Sequence, residues 1–325
     1  MNILVTGGAG FIGSVTAESL IRRGHKVTVL DNLVTGHRAA VHPDAAFVQA
    51  DVANAREVGR AVQEHAIDAV LHFAAYSLVG ESMAQPAKYF QNNSAGTLKL
   101  LETLLAHDIK KFVLSSTAAL FGKPEQLPIS EDAAIQPGSV YGESKYLTER
   151  MLGWLNETQN LGFVALRYFN AAGASEIYGE DHRPESHLIP ITLQVAQSKR
   201  DVIGIFGDDY DTRDGTCVRD YVHVLDLAQA HILALESLEA GEARRYNLGN
   251  GQGFSVREVI DVCREVTGHE IPEEIQPRRP GDPAALVADS GLIKRDLGWQ
   301  PEHASLREMV ASAWAWFEAH PDGYE

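Results

Sequence analysis

Two side chains on one predicted helix have the types and the spacing needed for proton transfer. Tyr141 and Lys145 are four residues apart, so on a helix they share a face. A free tyrosine phenol, with a pKa near 10, is a poor base at neutral pH, but a neighbouring ammonium group favours the phenolate and lowers its pKa. The spacing therefore predicts Tyr141 as a general base and Lys145 as its catalytic partner.

A third candidate is the hydroxyl of Thr117, which ends a predicted strand that finishes Ser115-Ser116-Thr117. We expect it to bridge a substrate hydroxyl and Tyr141. Serine and threonine at a strand end also commonly satisfy backbone groups, which is the competing interpretation. The presence of Tyr141 and Lys145 favours the catalytic role.

A glycine cluster follows the first predicted strand and opens the first helix. It satisfies G-x-G-x-x-G and includes Gly7, Gly10 and Gly13, which predicts a tight turn where free N–H groups bind a dinucleotide's diphosphate. Asp31 ends the second strand, where a carboxylate accepts from ribose hydroxyls and repels a 2′-phosphate, so NAD is favoured over NADP. Asp51 follows the third strand and is predicted to accept from the adenine amino group, although 51–54 is also a plausible helix N-cap region.

The predicted elements that position these side chains alternate between strand and helix. Each strand is apolar almost throughout, as in a parallel strand covered on both faces. The pattern predicts an α/β fold, a Rossmann-type doubly wound parallel sheet with a smaller C-terminal α/β substrate-binding region. The predicted strands centre on 3–5, 26–31, 47–48, 69–73, 111–115 and 163–167, and the long helices span 89–107, 141–158 and 222–239.

The composition of the chain changes after about residue 170. Turn-rich, polar stretches at 174–185, 207–215 and 273–283 separate the predicted helices there. We therefore expect residues 1–170 to form an NAD-binding domain carrying the catalytic residues. Residues 171–325 are expected to form mainly the substrate-binding region. Without a flexible linker, the two are expected to interleave in a single compact unit.

Composition excludes several function classes. Among 325 residues, 44 acidic against 28 basic side chains give a formal charge of −16, which disfavours nucleic-acid binding. Cys217 and Cys263 form no CxxC pair, and neither a signal peptide nor a membrane span is visible, so a cytoplasmic enzyme is expected. No His, Cys and carboxylate cluster with metal-ligand spacing is apparent, so no metal is assigned.

The motifs together resemble the extended short-chain dehydrogenase/reductase superfamily and, within it, the UDP-glucose 4-epimerase family, over almost the whole chain. The later motifs are far more specific than the glycine loop. Besides that loop, the resemblance rests on 31–33, 72–75, 79–82, 92–97, 141–145, 166–170, 214–224, 246–249 and 278–282.

The resemblance implies a mechanism and a set of binding residues. Tyr141 would take the proton of the 4-hydroxyl while C4 hydride passes to NAD, and the 4-keto sugar would turn and receive hydride on its other face. Besides Gly7, Gly10, Gly13, Asp31 and Asp51, the implied NAD site comprises Phe11, Ile12, Asn32, Leu33, Thr35, Gly36, Val52, Phe73, Ala74, Ala75, Ser77, Asn92, Lys145 and Phe169. The implied UDP-sugar site comprises Ser77, Thr117, Tyr141, Asn170, His187, Leu188, Gly204, Phe206, Arg219, Arg279, Asp282 and Leu286.

Several of these positions admit simpler interpretations or depart from the family pattern. Arg219 and Arg279 suit a diphosphate clamp, although a surface salt bridge is the default for each arginine alone. For Asn170 the simpler interpretation is a turn residue, and for His187 it is an exposed histidine. Some relatives carry Lys where this chain has Ser77, Ser where it has Thr117, and Asn where it has His187. Leu286 stands where a Tyr often closes the pocket, which predicts room for an N-acetyl group.

The sequence also bears on other functions that the same fold supports. A 4,6-dehydratase needs an acid/base pair after the catalytic Thr, and Ala118 and Ala119 cannot transfer protons. A UDP-uronate 4-epimerase stays open. A non-catalytic NAD sensor would not need Tyr141 and Lys145 in register, and the long C-terminal region disfavours a small-alcohol dehydrogenase. Two helices, 89–107 and 141–158, are expected to pair across a two-fold axis in a homodimer.

Overall fold

The computed structural model describes residues 1–279 and 281–325. Its strands are β1 (Asn2–Thr6), β2 (Lys26–Asp31), β3 (Ala46–Gln49), β4 (Ala69–His72), β5 (Lys111–Thr117), β6 (Gly162–Tyr168), β7 (Asn170–Ala172), β8 (Ile203–Phe206), β9 (Val218–Arg219), β10 (Tyr221–His223), β11 (Ala243–Leu248), β12 (Phe254–Ser255), β13 (Glu273–Gln276) and β14 (Ala285–Leu286). Its α-helices are α1 (Phe11–Arg22), α2 (Ala55–Glu64), α3 (Val79–Ala84), α4 (Pro86–Tyr89), α5 (Thr97–Ala106), α6 (Val140–Gln159), α7 (Leu188–Ala196), α8 (Val224–Glu236), α9 (Val256–Thr267), α10 (Gly291–Leu297) and α11 (Leu306–Ala319).

Within the described residues, seven strands form one sheet in the order β11-β6-β5-β4-β1-β2-β3, and every neighbouring pair is parallel. The order reverses beside β1, which is where open α/β sheets bind ligands at the carboxyl ends of their strands. This sheet confirms the predicted Rossmann-type fold class.

The apolar runs become strands because both faces of the sheet are covered. Ile3 and Val5 pack on one side in a buried cluster with Leu20 of α1 and Leu227 of α8. Leu4, between them, faces the other side and joins a cluster with α2 and α5. Successive side chains of a strand point to opposite faces, so a strand buried on both sides needs apolar residues at every position.

Four elements differ from their sequence-based predictions. The edge strand β11 was not predicted. The predicted helix 89–107 is a helical run in which the π-helical segment Phe90–Gly96 separates α4 from α5. The predicted helix 222–239 begins only at Val224, because Tyr221–His223 pairs with β7. Within the predicted turn region 273–283, Glu273–Gln276 is a strand paired with β8, and Pro280 lies outside the described residues.

A separate apolar cluster is formed largely by α7, α9 and α11, with Ile203 and Ile205 of β8. Cys217 and Cys263 are buried and unpaired by any disulfide. Among the helices that the structure describes, none combines the length and the apolarity needed to span a membrane.

Candidate active site

The turn between β1 and α1 is built to admit a close anion. Gly7 has a φ of +73°, and a Cβ on it would lie 2.5 Å from the backbone nitrogen of Ala74. A Cβ on Gly13 would lie 2.2 Å from the Gly7 carbonyl oxygen, so both positions require glycine. The N-cap of α1, Gly10, supplies no side-chain acceptor, and the first turn contains no acidic residue. The helix N-terminus therefore fits a diphosphate.

Asp31 joins this turn to the following loop. Its carboxylate is buried and accepts hydrogen bonds from the backbone nitrogens of Ala9 (3.0 Å) and Leu33 (2.8 Å). Burial raises the pKa of Asp31, and the two backbone hydrogen bonds oppose that shift. A Cβ on Gly36 would lie 3.0 Å from Oδ1 of Asp31, so the loop closes tightly over the carboxylate, whereas Thr35 is exposed.

Asp51, which is predicted for the adenine end, lies beside two other residues of the implied NAD site, Asn32 and Val52. The Asn32 side chain donates to Oδ2 of Asp51 at 3.0 Å, and Oδ1 of Asp51 accepts from the backbone nitrogen of Ala53 at 2.8 Å. The N-cap of α2 is Asn54, not Asp51, and Val52 is buried beside this helix. Asp51 therefore keeps acceptor capacity for a ligand.

The loop after β4 is held by a residue that the sequence did not single out. Asn93, in the π-helical segment, donates to the carbonyl oxygen of Tyr76 (2.9 Å) and to Oγ of Ser144 (3.0 Å), and it accepts from the Tyr76 backbone nitrogen (2.9 Å). It thus ties this loop to α6. Its neighbour Asn92 is partly buried, whereas Ser77 is exposed. Two adjacent asparagines within a predicted helix were the available signal.

The remaining predicted cofactor residues surround these loops. The backbone nitrogens of Phe73 and Ala74 donate to the carbonyl oxygen of Thr6 at 2.9 and 3.1 Å, so the ends of β1 and β4 meet. Phe11 is buried, and Ile12 and Ala75 are partly buried. The structure therefore brings the ends of these strands and the start of α1 together as the sequence predicts.

The three predicted catalytic side chains meet at the carboxyl end of β5. Lys145 is buried on α6, and its Nζ donates to the carbonyl oxygen of Ser115 at 2.8 Å. Burial lowers the pKa of Lys145 to about 8, against the opposing charge of Glu149. Burial raises the pKa of Tyr141, while a hydrogen bond with Thr117 opposes the shift. The net pKa shift of Tyr141 is therefore opposite to the lowering by Lys145 that the sequence predicts, because burial outweighs the opposing contribution. This arrangement suits proton exchange between Tyr141 and a hydroxyl at Thr117.

The start of α6 is fixed by close backbone packing. The Ser139 side chain caps the helix by accepting from the Gly142 nitrogen at 3.2 Å. A Cβ on Gly142 would lie 2.5 Å from the carbonyl oxygen of Ala119. The helix therefore abuts the turn that follows Thr117, which sets the distance between the catalytic side chains.

A buried ion pair beneath the catalytic residues was also missed. Nη2 of Arg167 lies 2.6 Å from Oε2 of Glu149, and each side chain is 2% exposed. Ser116, beside Thr117, donates to the same carboxylate at 2.6 Å. The pair links β5, β6 and α6. The sequence showed only an Arg within a strand and a Glu on a helix, with nothing to join them.

The predicted substrate residues of the C-terminal half form a connected group. Arg219 forms an ion pair with Asp282, whose backbone nitrogen donates to the carbonyl oxygen of Arg279 at 3.2 Å. The guanidinium of Arg279 lies over the Phe206 ring, 3.8 Å from its centroid. Gly204 lies two residues before Phe206 on β8, and a Cβ on Gly204 would lie 3.4 Å from the Gln276 side chain.

Leu286 connects this group to the catalytic end of β5. It is paired in register with Arg219 on β9, and with Phe169 it packs against the buried cluster that includes Ala118. The Asn170 side chain donates to the carbonyl oxygen of Asp220, next to Arg219, at 2.8 Å. The predicted sugar-end and diphosphate-end residues are thus linked by a chain of contacts.

His187 and Leu188 lie elsewhere, at the N-terminal end of α7. His187 is not a simple exposed histidine, because Nδ1 lies 2.8 Å from Glu180 and 2.9 Å from Glu185. His182 joins them, and these four side chains could hold a metal ion. The prediction that no His, Cys and carboxylate cluster with metal-ligand spacing exists is therefore wrong. The spacing E-x-H-x-x-E-x-H falls in a loop, so no helical or strand period reveals it.

Comparisons with known proteins agree with this geometry. Residues 3–249 match the model of the NAD dependent epimerase/dehydratase family. A UDP-glucose 4-epimerase from Halalkalibacterium halodurans is 54% identical over 100% of this chain and 98% of its own length. A crystal structure of a UDP-glucose 4-epimerase superposes with a TM-score of 0.97 at 48% identity and covers 100% of both chains. The Bifidobacterium longum UDP-glucose 4-epimerase in complex with NAD+ and UDP superposes with a TM-score of 0.94, at 38% identity, over 99% of this chain and 100% of that one.

Proposed function

The chain belongs to the NAD dependent epimerase/dehydratase family, and from this premise we propose that it is an NAD-dependent 4-epimerase that interconverts UDP-glucose and UDP-galactose. One observation carries the proposal: Tyr141, Lys145 and Thr117 meet at the end of β5, beside a loop that fits a dinucleotide. A 4,6-dehydratase is not favoured, because Ala118 and Ala119 follow Thr117.

The proposed chemistry assigns each catalytic side chain one task. Tyr141 takes the proton of the 4-hydroxyl as a phenolate and returns it, while Thr117 bridges the sugar hydroxyl and the phenol. Lys145, still an ammonium near neutral pH with a pKa of about 8, stabilises that phenolate. When bound, NAD supplies a reversible hydride acceptor for C4. With that acceptor in place, the site would support inversion of C4 with no net redox change.

We propose that the connected C-terminal group holds the UDP moiety. Arg219 and Arg279 are the cations, and Asp282 and Phe206 orient them. A planar guanidinium suits a diphosphate. Asn170, Leu188, Gly204 and Ser77 complete the proposed substrate set. His187, which the family resemblance also implies for the substrate, contacts Glu180 and Glu185 instead, so we do not assign it to the substrate. The NAD site is proposed to comprise the residues that the family resemblance implies. Leu286 is proposed to leave room for an N-acetyl group.

The division of the chain and its assembly are proposals as well. Residues 1–170 supply most of the NAD-binding part, and 171–325 supply most of the substrate-binding part, with β11 and α8 returning to the sheet. Large apolar side chains stay exposed on α5 and α6, namely Leu98 and Trp154, which supports a homodimer through these helices. We also propose a cytoplasmic enzyme of galactose metabolism, and the two free cysteines support the cytoplasmic location.

The decisive experiment incubates the purified protein with UDP-galactose, without added NAD, and follows the sugar by NMR. We expect conversion to an equilibrium mixture with UDP-glucose and no accumulation of NADH. Tyr141→Phe should lower kcat by about 10²–10⁴-fold, and the control Tyr146→Phe, on the same helix, should retain activity. Because the reaction has no net redox change, we also propose that the protein retains NAD through purification. If NAD must be added before UDP-galactose reacts, that retention is wrong.

A second arm of the assay tests the proposed pocket width with UDP-N-acetylgalactosamine. The wild type should convert it, whereas Leu286→Tyr should lose this activity and keep that on UDP-galactose. Leu286→Met, which conserves the volume, is the control. Turnover of UDP-galactose alone by the wild type would refute the role of Leu286, and inactivity on both sugars, even with NAD, would overturn the proposed substrates.

A further inference from the structure

The loop that precedes α7 gathers two carboxylates and two imidazoles around one point. Glu180, His182, Glu185 and His187 each offer one ligand atom, and these four atoms all lie within 4.8 Å of one another. The loop runs between β7 and α7 and contains no regular secondary structure over these residues. Its conformation therefore depends on side-chain contacts within the loop and with its neighbours.

The two carboxylates are costly to bury unless a cation balances them. The side chains of Glu180 and Glu185 are 7% and 3% exposed. Within the part of the chain that the structure describes, their ion-pair partners are His182 and His187, and neither carboxylate pairs with a Lys or Arg. Arg183, between them in sequence, instead pairs with Asp181 and Glu325.

The separations of the ligand atoms suit a small tetrahedral ion. Nδ1 of His187 lies 2.8 Å from Glu180 and 2.9 Å from Glu185, and Nδ1 of His182 lies 2.9 and 3.7 Å from the same carboxylates. Zinc bonds of about 2.0–2.2 Å place tetrahedral ligand atoms about 3.3–3.6 Å apart. The shortest of these separations would therefore have to open by about 0.5 Å to admit the ion, and the wider ones, which reach at most 4.8 Å, would have to close.

Hydrogen bonds with backbone groups also hold the cluster in place, as is usual for metal ligands. Oε1 of Glu185 accepts hydrogen bonds from the backbone nitrogens of Ser186 and His187 at 2.7 and 2.8 Å. The carbonyl oxygen of Asp181 lies 2.9 Å from Nε2 of His37, in the loop that follows Asp31. The cluster thus stands between that loop and the start of α7.

We propose that Glu180, His182, Glu185 and His187 bind one Zn²⁺ ion per chain as a structural site. Two nitrogen and two oxygen ligands are a zinc-type set, and four protein ligands leave no position for a reacting water. The ion neutralises the two buried carboxylates and fixes the loop between β7 and α7. This proposal stands on the cluster itself and does not depend on the assigned substrate.

The test measures zinc in the full-length protein after dialysis against metal-free buffer. Mass spectrometry should find about one zinc per chain, and after removal by a chelator, titration calorimetry should show zinc but not magnesium rebinding, because Mg²⁺ prefers six oxygen ligands. His182→Gln and Glu185→Gln should each weaken zinc binding at least tenfold. The control His25→Gln, which removes a histidine paired with Glu236, should bind as the wild type does.

Thermal unfolding provides an independent readout. Added zinc should raise Tm of the chelated wild type and of His25→Gln, and it should leave Tm of His182→Gln unchanged, because an ion that binds only the folded state stabilises it. Circular dichroism shows whether each variant is folded. The proposal is overturned if the wild type neither retains nor rebinds zinc, in which case the cluster is an ion-pair network, or if both ligand variants bind zinc unchanged.

Discussion

His231, a residue outside the predicted site, illustrates how burial sets protonation near the cofactor loops. It is fully buried on α8, its Nδ1 donates to the carbonyl oxygen of Leu227 at 2.8 Å, and its ring lies 4.7 Å from that of Phe73. Its Nε2 has no hydrogen-bond partner among the described residues. Burial lowers the pKa of His231 to about 4, so the ring stays neutral in the folded protein.

This pKa predicts a loss of stability in acid. The ordinary value in an unfolded chain is 6.5, so as the pH falls below 6.5 the unfolded state binds a proton that the folded state rejects until about pH 4. At about pH 5 the loss approaches about 2 kcal/mol. Urea unfolding at pH 8 and pH 5 should therefore show a smaller pH dependence for His231→Phe than for the wild type. His269→Phe, at an exposed position, should behave as the wild type, and identical pH dependence in His231→Phe would contradict this expectation.

Single residues were predictable where a local pattern identifies them. Tyr141, Lys145 and the glycines stand at spacings that follow from helix and turn geometry. Asn93 and the pair of Glu149 with Arg167 depend instead on contacts between segments far apart in sequence. For Asn93 the local signal was only the pair of adjacent asparagines, and for Glu149 and Arg167 there was none, because the sequence does not show which distant residues will meet.

At the scale of elements, the packing of α6 sets the distance between Tyr141 and Thr117. Its first turn packs so closely on the turn after Thr117 that a Cβ on Gly142 would lie 2.5 Å from a carbonyl oxygen. Backbone at such a contact cannot yield as a flexible side chain can. The position of Tyr141 relative to Thr117 therefore depends on the absence of a side chain at its neighbour.

Gly142→Ala should thus displace the start of α6 and lower kcat about 10²-fold, since a misplacement of about 1 Å has that effect. The matched control is Gly153→Ala on the same helix, where a Cβ meets only an arginine side chain at 3.6 Å. That substitution should keep kcat and stabilise the helix by about 0.5–1 kcal/mol. Steady-state kinetics and urea unfolding of both variants provide the comparison. Equal kcat values for Gly142→Ala and Gly153→Ala would show that the contact does not position Tyr141.

The elements that escaped prediction did so for physical reasons. β11 is an edge strand whose first residues, Ala243 to Arg245, are small or charged and partly exposed, so it lacks the continuous apolar run of the inner strands. The π-helical segment Phe90–Gly96 follows from hydrogen-bond geometry, which a periodicity close to that of an α-helix does not distinguish. The inner strands were predictable because burial on both faces dictates their composition.

At the scale of the whole molecule, the exposed apolar side chains of α5 and α6 are the basis of the proposed dimer. Trp154 is 63% exposed on α6, which is unfavourable for a large aromatic side chain in water. Trp154→Lys would place a charge at the centre of the proposed dimer interface. We expect the wild type to be a dimer and Trp154→Lys to be a monomer in light scattering coupled to size exclusion.

The comparison variant is Ile275→Lys, on β13, where the side chain is 44% exposed but lies off these helices. It should remain dimeric. A monomeric wild type, or a dimer that survives Trp154→Lys, would refute the proposed helix pairing.

The strand order has a consequence for how the protein is made. β6 leaves the ribosome with one edge unpaired, and the strand that covers it, Ala243–Leu248, follows only after residues 169–242. At usual rates of translation these residues take roughly 4–15 s to synthesise. Throughout that interval the nascent chain presents an open parallel edge, which is a template for pairing with other chains. We expect ribosome-bound chains that end before Ala243 to need chaperones to prevent pairing at this edge. Chains long enough for Leu248 to have left the ribosome should not need them.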